Sequence, residues 1–313
     1  LKKALVTGAA GFIGSHLVER LIGEGWRVTG MDNFHPYYDR RLKEDNLRGF
    51  LHHENFEFIE GSILSEDDLG RCGQVDSVFH LAGIAGVRNS MECPDEYYRT
   101  NIRGTASLLG RFSDVDDLVF ASSSAVYGDL KDEELPVGET HPLNPISPYG
   151  DSKRQAEGLC LDYAGESRVR TSILRFHTVY GPRQRPDEAI MKFIGLAAAG
   201  RPVPVYGDGG KMRDYTFVSD IVDGMVLAQK RGSGVYNLGS GNPVSINEMV
   251  SVLEEGIGKK IARDHVEPPE GDVEKTHADI SKARRELGFS PRTDLRSGII
   301  RSIEWYREKA CAA

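Results

Sequence analysis

Through its first half the chain alternates short apolar or β-branched runs with longer stretches whose apolar residues recur at helical spacing. That alternation predicts a doubly wound parallel sheet with crossover helices. The candidate strands are Ala4-Leu5-Val6, Arg27-Val28-Thr29, Phe56-Glu57-Phe58-Ile59, Ser77-Val78-Phe79, Leu118-Val119-Phe120 and Thr171-Ser172-Ile173-Leu174. Past about residue 175 the rhythm changes. Pro182, Pro186, Pro202 and Pro204 punctuate the chain, and glycines crowd around 207–210 and 239–241. The expected division is a cofactor-type α/β unit over 1–175 and a smaller α/β lobe over 176–313, from which segments can return to the first unit. No repeat period is present.

Composition narrows the class of partner. Of 313 residues 39% are hydrophobic and 27% charged, with no uninterrupted apolar run of membrane-spanning length. Lys and Arg number 39 against 47 Asp and Glu, a net charge of −8, which argues against broad nucleic-acid binding. An anionic ligand must then be met by a local cluster of arginines. Cys72, Cys93, Cys160 and Cys311 are scattered and form no CxxC pair, so neither a disulfide framework nor a metal site is indicated. Lys2 and Lys3 run straight into an apolar strand, with no leader-type segment between. A cytoplasmic location is the expectation.

Two motifs carry chemistry. Thr7-Gly8-Ala9-Ala10-Gly11-Phe12-Ile13-Gly14 follows the first strand and opens a helix with apolar Phe12, Ile13, Leu17, Leu21 and Ile22. A glycine turn there lets backbone N–H groups and the helix N-terminus meet a pyrophosphate. Asp32, at the end of the second strand, can accept both ribose hydroxyls and repel a 2′-phosphate, which favours NAD over NADP. Together these mark a Rossmann-type unit. Downstream, Tyr149 and Lys153 stand four apart at the start of a helix, and so project from one face. A nearby ammonium favours the phenolate and lowers the pKa of a phenol that is otherwise a poor base at neutral pH. Ser122, Ser123 and Ser124 end a strand, where doubly wound sheets face their ligand crevice.

The spacing TGxxGFIG resembles the extended short-chain dehydrogenase/reductase family, in particular its nucleotide-sugar branch. The likeness runs from Val6 to Trp305 and includes His80-Leu81-Ala82-Gly83, Ser122 to Gly128, Pro148-Tyr149-Gly150-Asp151-Ser152-Lys153 and Arg213-Asp214-Tyr215. It implies a cofactor shell of Gly8, Gly11, Phe12, Ile13, Gly14, Asp32, Asn33, Ser62, Ile63, Leu81, Ala82, Gly83 and Phe176 beside Tyr149 and Lys153. Ser62 departs from the pattern, which often has an Asp for the adenine amino group. Counting back four residues from Tyr127, as the family pattern does, selects Ser123 as the third member of a catalytic group with Tyr149 and Lys153.

The same resemblance separates reactions. Related dehydratases and decarboxylases carry an acid just before Val-Tyr-Gly, where this chain has Ser124 and Ala125. Without that acid the simplest fate of a 4-ketone is hydride return, which inverts the carbon if the sugar has turned over. The implied activity is 4-epimerisation of a UDP-sugar. Arg88, Arg185 and Arg213 lie in three separate loops and match phosphate or carboxylate oxygens. By resemblance Arg213 holds a nucleotide diphosphate, Tyr206 lies against uracil, and Asp272 lies near the uridine ribose. Pro269 stands where the family usually has an Arg.

The segments 175–187 and 271–279 look like those of UDP-glucuronate 4-epimerases. Ser123, Ser124 and Thr178 then offer hydroxyls to a C6 carboxylate, with Arg185 as the fixed charge nearby. UDP-glucose and UDP-N-acetylglucosamine 4-epimerases are the alternative. A dinucleotide-binding protein without turnover is a contrasting reading, against which the retained Tyr149, Lys153 and serines argue. The helices near 95–112 and 149–164 resemble the pair that forms a two-fold dimer interface in this family. A homodimer is the expectation, with Leu108, Leu109, Leu159 and Tyr163 in the interface or in the core.

Overall fold

In the computed structural model, which describes residues 1–268 and 271–312, seven strands form one parallel sheet. They are β1 (Lys3–Thr7), β2 (Arg27–Asp32), β3 (Phe56–Glu60), β4 (Ser77–His80), β5 (Asp117–Ser123), β6 (Arg170–Phe176) and β7 (Gly234–Leu238). Their spatial order is β7-β6-β5-β4-β1-β2-β3. The first six contain the apolar runs read from the sequence. The seventh, Gly-Val-Tyr-Asn-Leu, comes from beyond residue 175 and pairs in parallel with β6. Pro269, the departure at the expected diphosphate contact, lies outside the described residues.

The alternation along each strand divides the core. Ala4 and Val6 of β1 pack with Leu17, Val18 and Leu21 of helix α1 (Phe12–Gly23), whereas Leu5 packs on the opposite face with Leu108, Ile173 and Cys160. Leu108 and Leu109 are core residues, and Leu159 and Tyr163 pack against the same cluster. Of the neighbouring apolar residues on the helix Pro148–Glu166, Leu161 is 48% exposed. No helix among the described residues is long and apolar enough to cross a membrane.

The strand order reverses between β1 and β4, and at such a switch point the loops leaving the two strands diverge and open a crevice. Beyond it, a smaller layer pairs Val203–Tyr206 with Arg263–Val266, and Met212–Arg213 with Val244–Ser245. Helices Ala189–Ala198, Ile246–Ile257 and Leu295–Ala312 supply this layer's apolar cluster, among them Ile194, Leu253 and Ile299. Ser245 accepts from the Glu248 N–H while Glu248 accepts from the Ser245 N–H, a reciprocal cap that fixes where the second of these helices starts.

His80, at the end of β4, ties both sides of the switch point together. Thr105 Oγ1 donates its one proton to the Asn101 carbonyl (2.6 Å), so it accepts from His80 Nε2–H (3.0 Å). Thr7 Oγ1 accepts from the Ala82 N–H (3.1 Å) and donates to His80 Nδ1 (2.8 Å). The network is complete only for the neutral ring. Complete burial, reinforced by the Lys153 ammonium, holds His80 down at about 3.

The unfolded chain binds this proton from pH 6.5 downward and the folded chain does not, so stability falls as pH drops through that window. About 2 to 3 kcal/mol should be lost between pH 7 and 4.5 through this group. Urea unfolding at the two pH values checks it. His80→Gln, which keeps a donor and an acceptor without titrating, should show a correspondingly smaller loss.

Candidate active site

The turn after β1 is built by close backbone approach. Gly8 adopts φ +72°, and its N–H donates to the Met31 carbonyl (2.8 Å). A Cβ on Gly14 would lie 2.1 Å from the Gly8 carbonyl oxygen, so the first turn of α1 sits directly on the loop. Gly11 caps the helix without a side chain, which leaves the N-terminal N–H groups facing the crevice. Asn46 Nδ2 braces the loop from behind by donating to the Ala10 carbonyl (3.0 Å).

Asp32 at the end of β2 accepts from the Ala10 N–H (3.1 Å) and the Phe34 N–H (2.8 Å), serving as turn former and loop clamp at once. Burial pushes its carboxyl up, opposed by the Lys43 ammonium. Lys43 is a residue that sequence reading missed. It is buried, donates to the His35 carbonyl (2.7 Å) and lies over the Tyr38 ring, with the crevice in front of it. Its only sequence signal is a lysine inside a polar helix, Arg40–Leu47, eleven residues past Asp32.

Asn33 spends its side-chain oxygen on the His35 N–H. Ser62 spends its hydroxyl on the Leu64 N–H (3.2 Å). Ile63 packs against Gly104, where a Cβ would meet it at 2.4 Å. Donors at a helix end, a carboxylate at the tip of β2 and an apolar wall fit a dinucleotide with free ribose hydroxyls.

From this end a single cleft of about 840 Å³ runs through to the smaller layer. Every residue assigned above to cofactor, catalysis or substrate lines it, as do Lys43, Glu188 and Lys192. Ser122 also borders the cleft, but its hydroxyl is engaged in donating to Glu157, which in turn forms a buried ion pair with Arg175 (2.7 Å). Ser123 and Ser124 remain facing the cleft.

The electrostatics of the Tyr149 group differ from the expectation. Lys153 donates to the Ala121 carbonyl (2.9 Å), and its burial brings it down to about 8. The crowded cleft pushes the Tyr149 phenol up, while Ser123 and Arg185 draw it back. The counterweight to burial is therefore the serine hydroxyl and a guanidinium rather than the ammonium one turn away.

The arginines of all three loops are already engaged by other side chains. Arg213 donates to Asp272 (2.6 Å) and to the Val273 carbonyl (2.7 Å), and Lys211 joins the same carboxylate (3.2 Å). Arg213 and Asp272 are thus one unit. Arg88 reaches across to donate to the Tyr206 hydroxyl, bridging the two sides of the cleft. Arg185 stacks on Tyr37 and pairs with Asp187 (3.0 Å) and Glu188 (2.8 Å), so its charge is already matched. Thr178 borders the cleft beside Phe176. Lys192, one helical turn beyond Glu188, has no carboxylate within ion-pair distance among the described residues and is a second cation that sequence reading missed.

Known proteins resemble this arrangement over nearly its whole length. UDP-glucuronate 4-epimerase from Thermodesulfobacterium geofontis is 39% identical over 97% of this chain and 96% of its own. The crystal structure of UDP-glucuronic acid 4-epimerase from Bacillus cereus, in complex with UDP-glucuronic acid and NAD, superposes with a TM-score of 0.93 at 35% identity, covering 98% of this chain and 99% of that one. UDP-glucose 4-epimerase from Thermotoga maritima, solved with UDP-glucose, gives a TM-score of 0.91 at 34% identity over 98% and 99%. The profile of the GDP-mannose 4,6 dehydratase family matches residues 5–302, and with the Rossmann-type sheet and the Tyr149–Lys153 helix in place the chain belongs to that family, within the extended short-chain dehydrogenases/reductases.

Proposed function

We propose that this chain is an NAD-dependent 4-epimerase of UDP-sugars that interconverts UDP-glucuronate and UDP-galacturonate through a 4-keto sugar. The observation that carries the reading is the continuity of one cleft. It joins the glycine turn and Asp32, the Ser123, Tyr149 and Lys153 group, and the Arg213–Asp272 unit. Similarity to UDP-glucuronate 4-epimerases over the whole chain supports the same substrate class.

NAD, when bound, supplies the hydride acceptor and donor at sugar C4. The protein's own residues do the rest. Gly8, Gly11 and Gly14 admit the pyrophosphate, with Phe12 and Ile13 at the helix start and Asp32 on the adenosine ribose. Asn33, Ser62, Ile63, Leu81, Ala82, Gly83 and Phe176 complete the walls. Tyr149 takes the C4 hydroxyl proton as the ketone forms and gives it back when the alcohol is restored. Ser123 holds that hydroxyl in line, and Lys153 orients the nicotinamide ribose.

On the sugar-nucleotide side, Tyr206 faces the base, Asp272 the ribose, and Arg88, Arg213 and Lys192 the diphosphate. Ser124 and Thr178 face the sugar. Ala125 offers no proton for elimination. The division into a cofactor unit (1–175) and a mainly sugar-nucleotide lobe (176–313) belongs to this proposal. So do a homodimer, supported by the exposed Leu161 on the Tyr149 helix, and a cytoplasmic location, supported by four free cysteine thiols.

Incubation of the purified protein with UDP-glucuronate and no added NAD, with products identified by NMR, should give UDP-galacturonate. Inversion of only UDP-glucose or UDP-N-acetylglucosamine would overturn the uronate assignment.

A further inference from the structure

Glu188 is a charged cleft residue to which the reading above gives no task. It closes the loop carrying Arg185 and immediately precedes the helix Ala189–Ala198. Arg185 Nη2 donates to Glu188 Oε1 at 2.8 Å, while Nε and Nη2 each reach an Asp187 oxygen at 3.0 Å. One guanidinium therefore faces two carboxylates, and this trio carries a formal charge of −1 in the cleft that Tyr149 and Thr178 also line.

The two acids are placed differently. Asp187 is the more exposed and accepts from the Tyr37 hydroxyl (3.1 Å). Glu188 sits toward the Tyr149 end of the cleft: the Arg185 Nη2 that donates to it lies 3.5 Å from where a Cβ on Gly86 would stand, the Gly86 carbonyl accepts from the Tyr97 hydroxyl (3.0 Å), and Tyr97 packs edge-on against Tyr149, whose phenol the Glu188 charge raises. Tyr149 must reach the C4 hydroxyl of the sugar. In a uronate, C6 is two bonds from C4, about 2.5 Å away. A C6 carboxylate therefore enters the region where Glu188 already acts on Tyr149.

We propose that Glu188 sets the charge selectivity of the sugar pocket, opposing a C6 carboxylate and so holding down the preference for a uronate over a neutral UDP-hexose. This rests on the epimerase reading. Hydroxyl donors such as Ser124 and Thr178 then have to outweigh a like charge, and UDP-glucose competes better than it would in a pocket where Arg185 stood alone.

The test is Glu188→Gln, which removes the charge but keeps an acceptor for Arg185. Steady-state constants are measured for UDP-glucuronate and UDP-glucose on the NAD-loaded enzyme. The KM of UDP-glucose divided by that of UDP-glucuronate should rise about tenfold, the scale of one screened like-charge contact at this range. Glu188→Asp, which keeps the charge, should stay near the wild-type ratio. If wild type turns over UDP-glucose alone, the Ki of UDP-glucuronate as a competitor replaces its KM in the same ratio. A ratio within twofold of wild type in Glu188→Gln, or an equal shift of both constants, overturns the role of Glu188 alone. A wild type that inverts neither sugar overturns the epimerase reading on which it rests.

Discussion

Tyr149→Phe should lower kcat for 4-epimerisation by about 10³-fold, within the range that a positioned acid–base group contributes. The substitution removes one oxygen and keeps the ring that packs edge-on against Tyr97 at 6.2 Å between centroids. Folding and sugar-nucleotide affinity should therefore change little. The loss belongs to proton transfer, because no other cleft group stands in the same relation to Ser123. Lys153 has its ammonium on the Ala121 carbonyl, and Ser122 is committed to Glu157. Single-turnover rates with tritium-labelled or NMR-detected substrate, set beside calorimetric binding of UDP-glucuronate, separate the two effects. A variant that inverts the sugar as fast as wild type would remove Tyr149 from the mechanism.

Gly14→Ala should cost about 2 to 4 kcal/mol of stability and abolish cofactor retention. The added methyl would meet the Gly8 carbonyl oxygen at 2.1 Å, the Gly8 carbonyl carbon at 2.9 Å and the Ala9 Cα at 3.1 Å. All three are backbone atoms, so no flexible side chain can yield. The helix must move off the turn, which spreads the N–H groups that a pyrophosphate needs close together. Gly23→Ala, in the same helix with nothing within 4 Å of the new methyl, is the control and should be neutral or slightly stabilising. Urea unfolding reads the first effect, and the ratio of absorbance at 260 to 280 nm in the purified protein reads the second. Retained cofactor in Gly14→Ala would mean that the turn is softer than its geometry implies.

How far the sequence could be read follows from the kind of information each feature carries. Strands β1, β4, β5 and β6 were legible because a strand buried on both faces has to be an apolar run, as in Ala4-Leu5-Val6, and the edge strand β3 because Phe56 and Ile59 turn inward while Glu57 and Glu60 face water. Strand β7 was not. Its centre is Tyr236 and Asn237, and Asn237 is tolerated there only because it donates to the Val137 carbonyl and accepts from Tyr127. Those partners lie about a hundred residues away along the chain.

The glycine turn and the Tyr149–Lys153 pair were visible because each is a local spacing. The balance of charge was hidden for the opposite reason. Arg185 stands in the sequence as a fixed charge, whereas in the fold Asp187 and Glu188 turn back onto it, and nothing in the sequence around Lys43 shows that its ammonium acts on Asp32. Spacing shows which groups can meet. Which of them are already satisfied depends on side-chain reach, and no window of sequence contains that.

The origin of β7 beyond residue 175 bears on how the protein is made. When β6 leaves the ribosome, its outer row of N–H and C=O groups faces water, and its partner is still some 60 residues from synthesis. At about 5 to 20 residues per second that edge stays open for several seconds. An uncapped parallel edge is a template for pairing with another chain. Nascent chains stalled within this interval are the species most exposed to aggregation, and the arrival of Gly234–Leu238 is the event that ends their exposure.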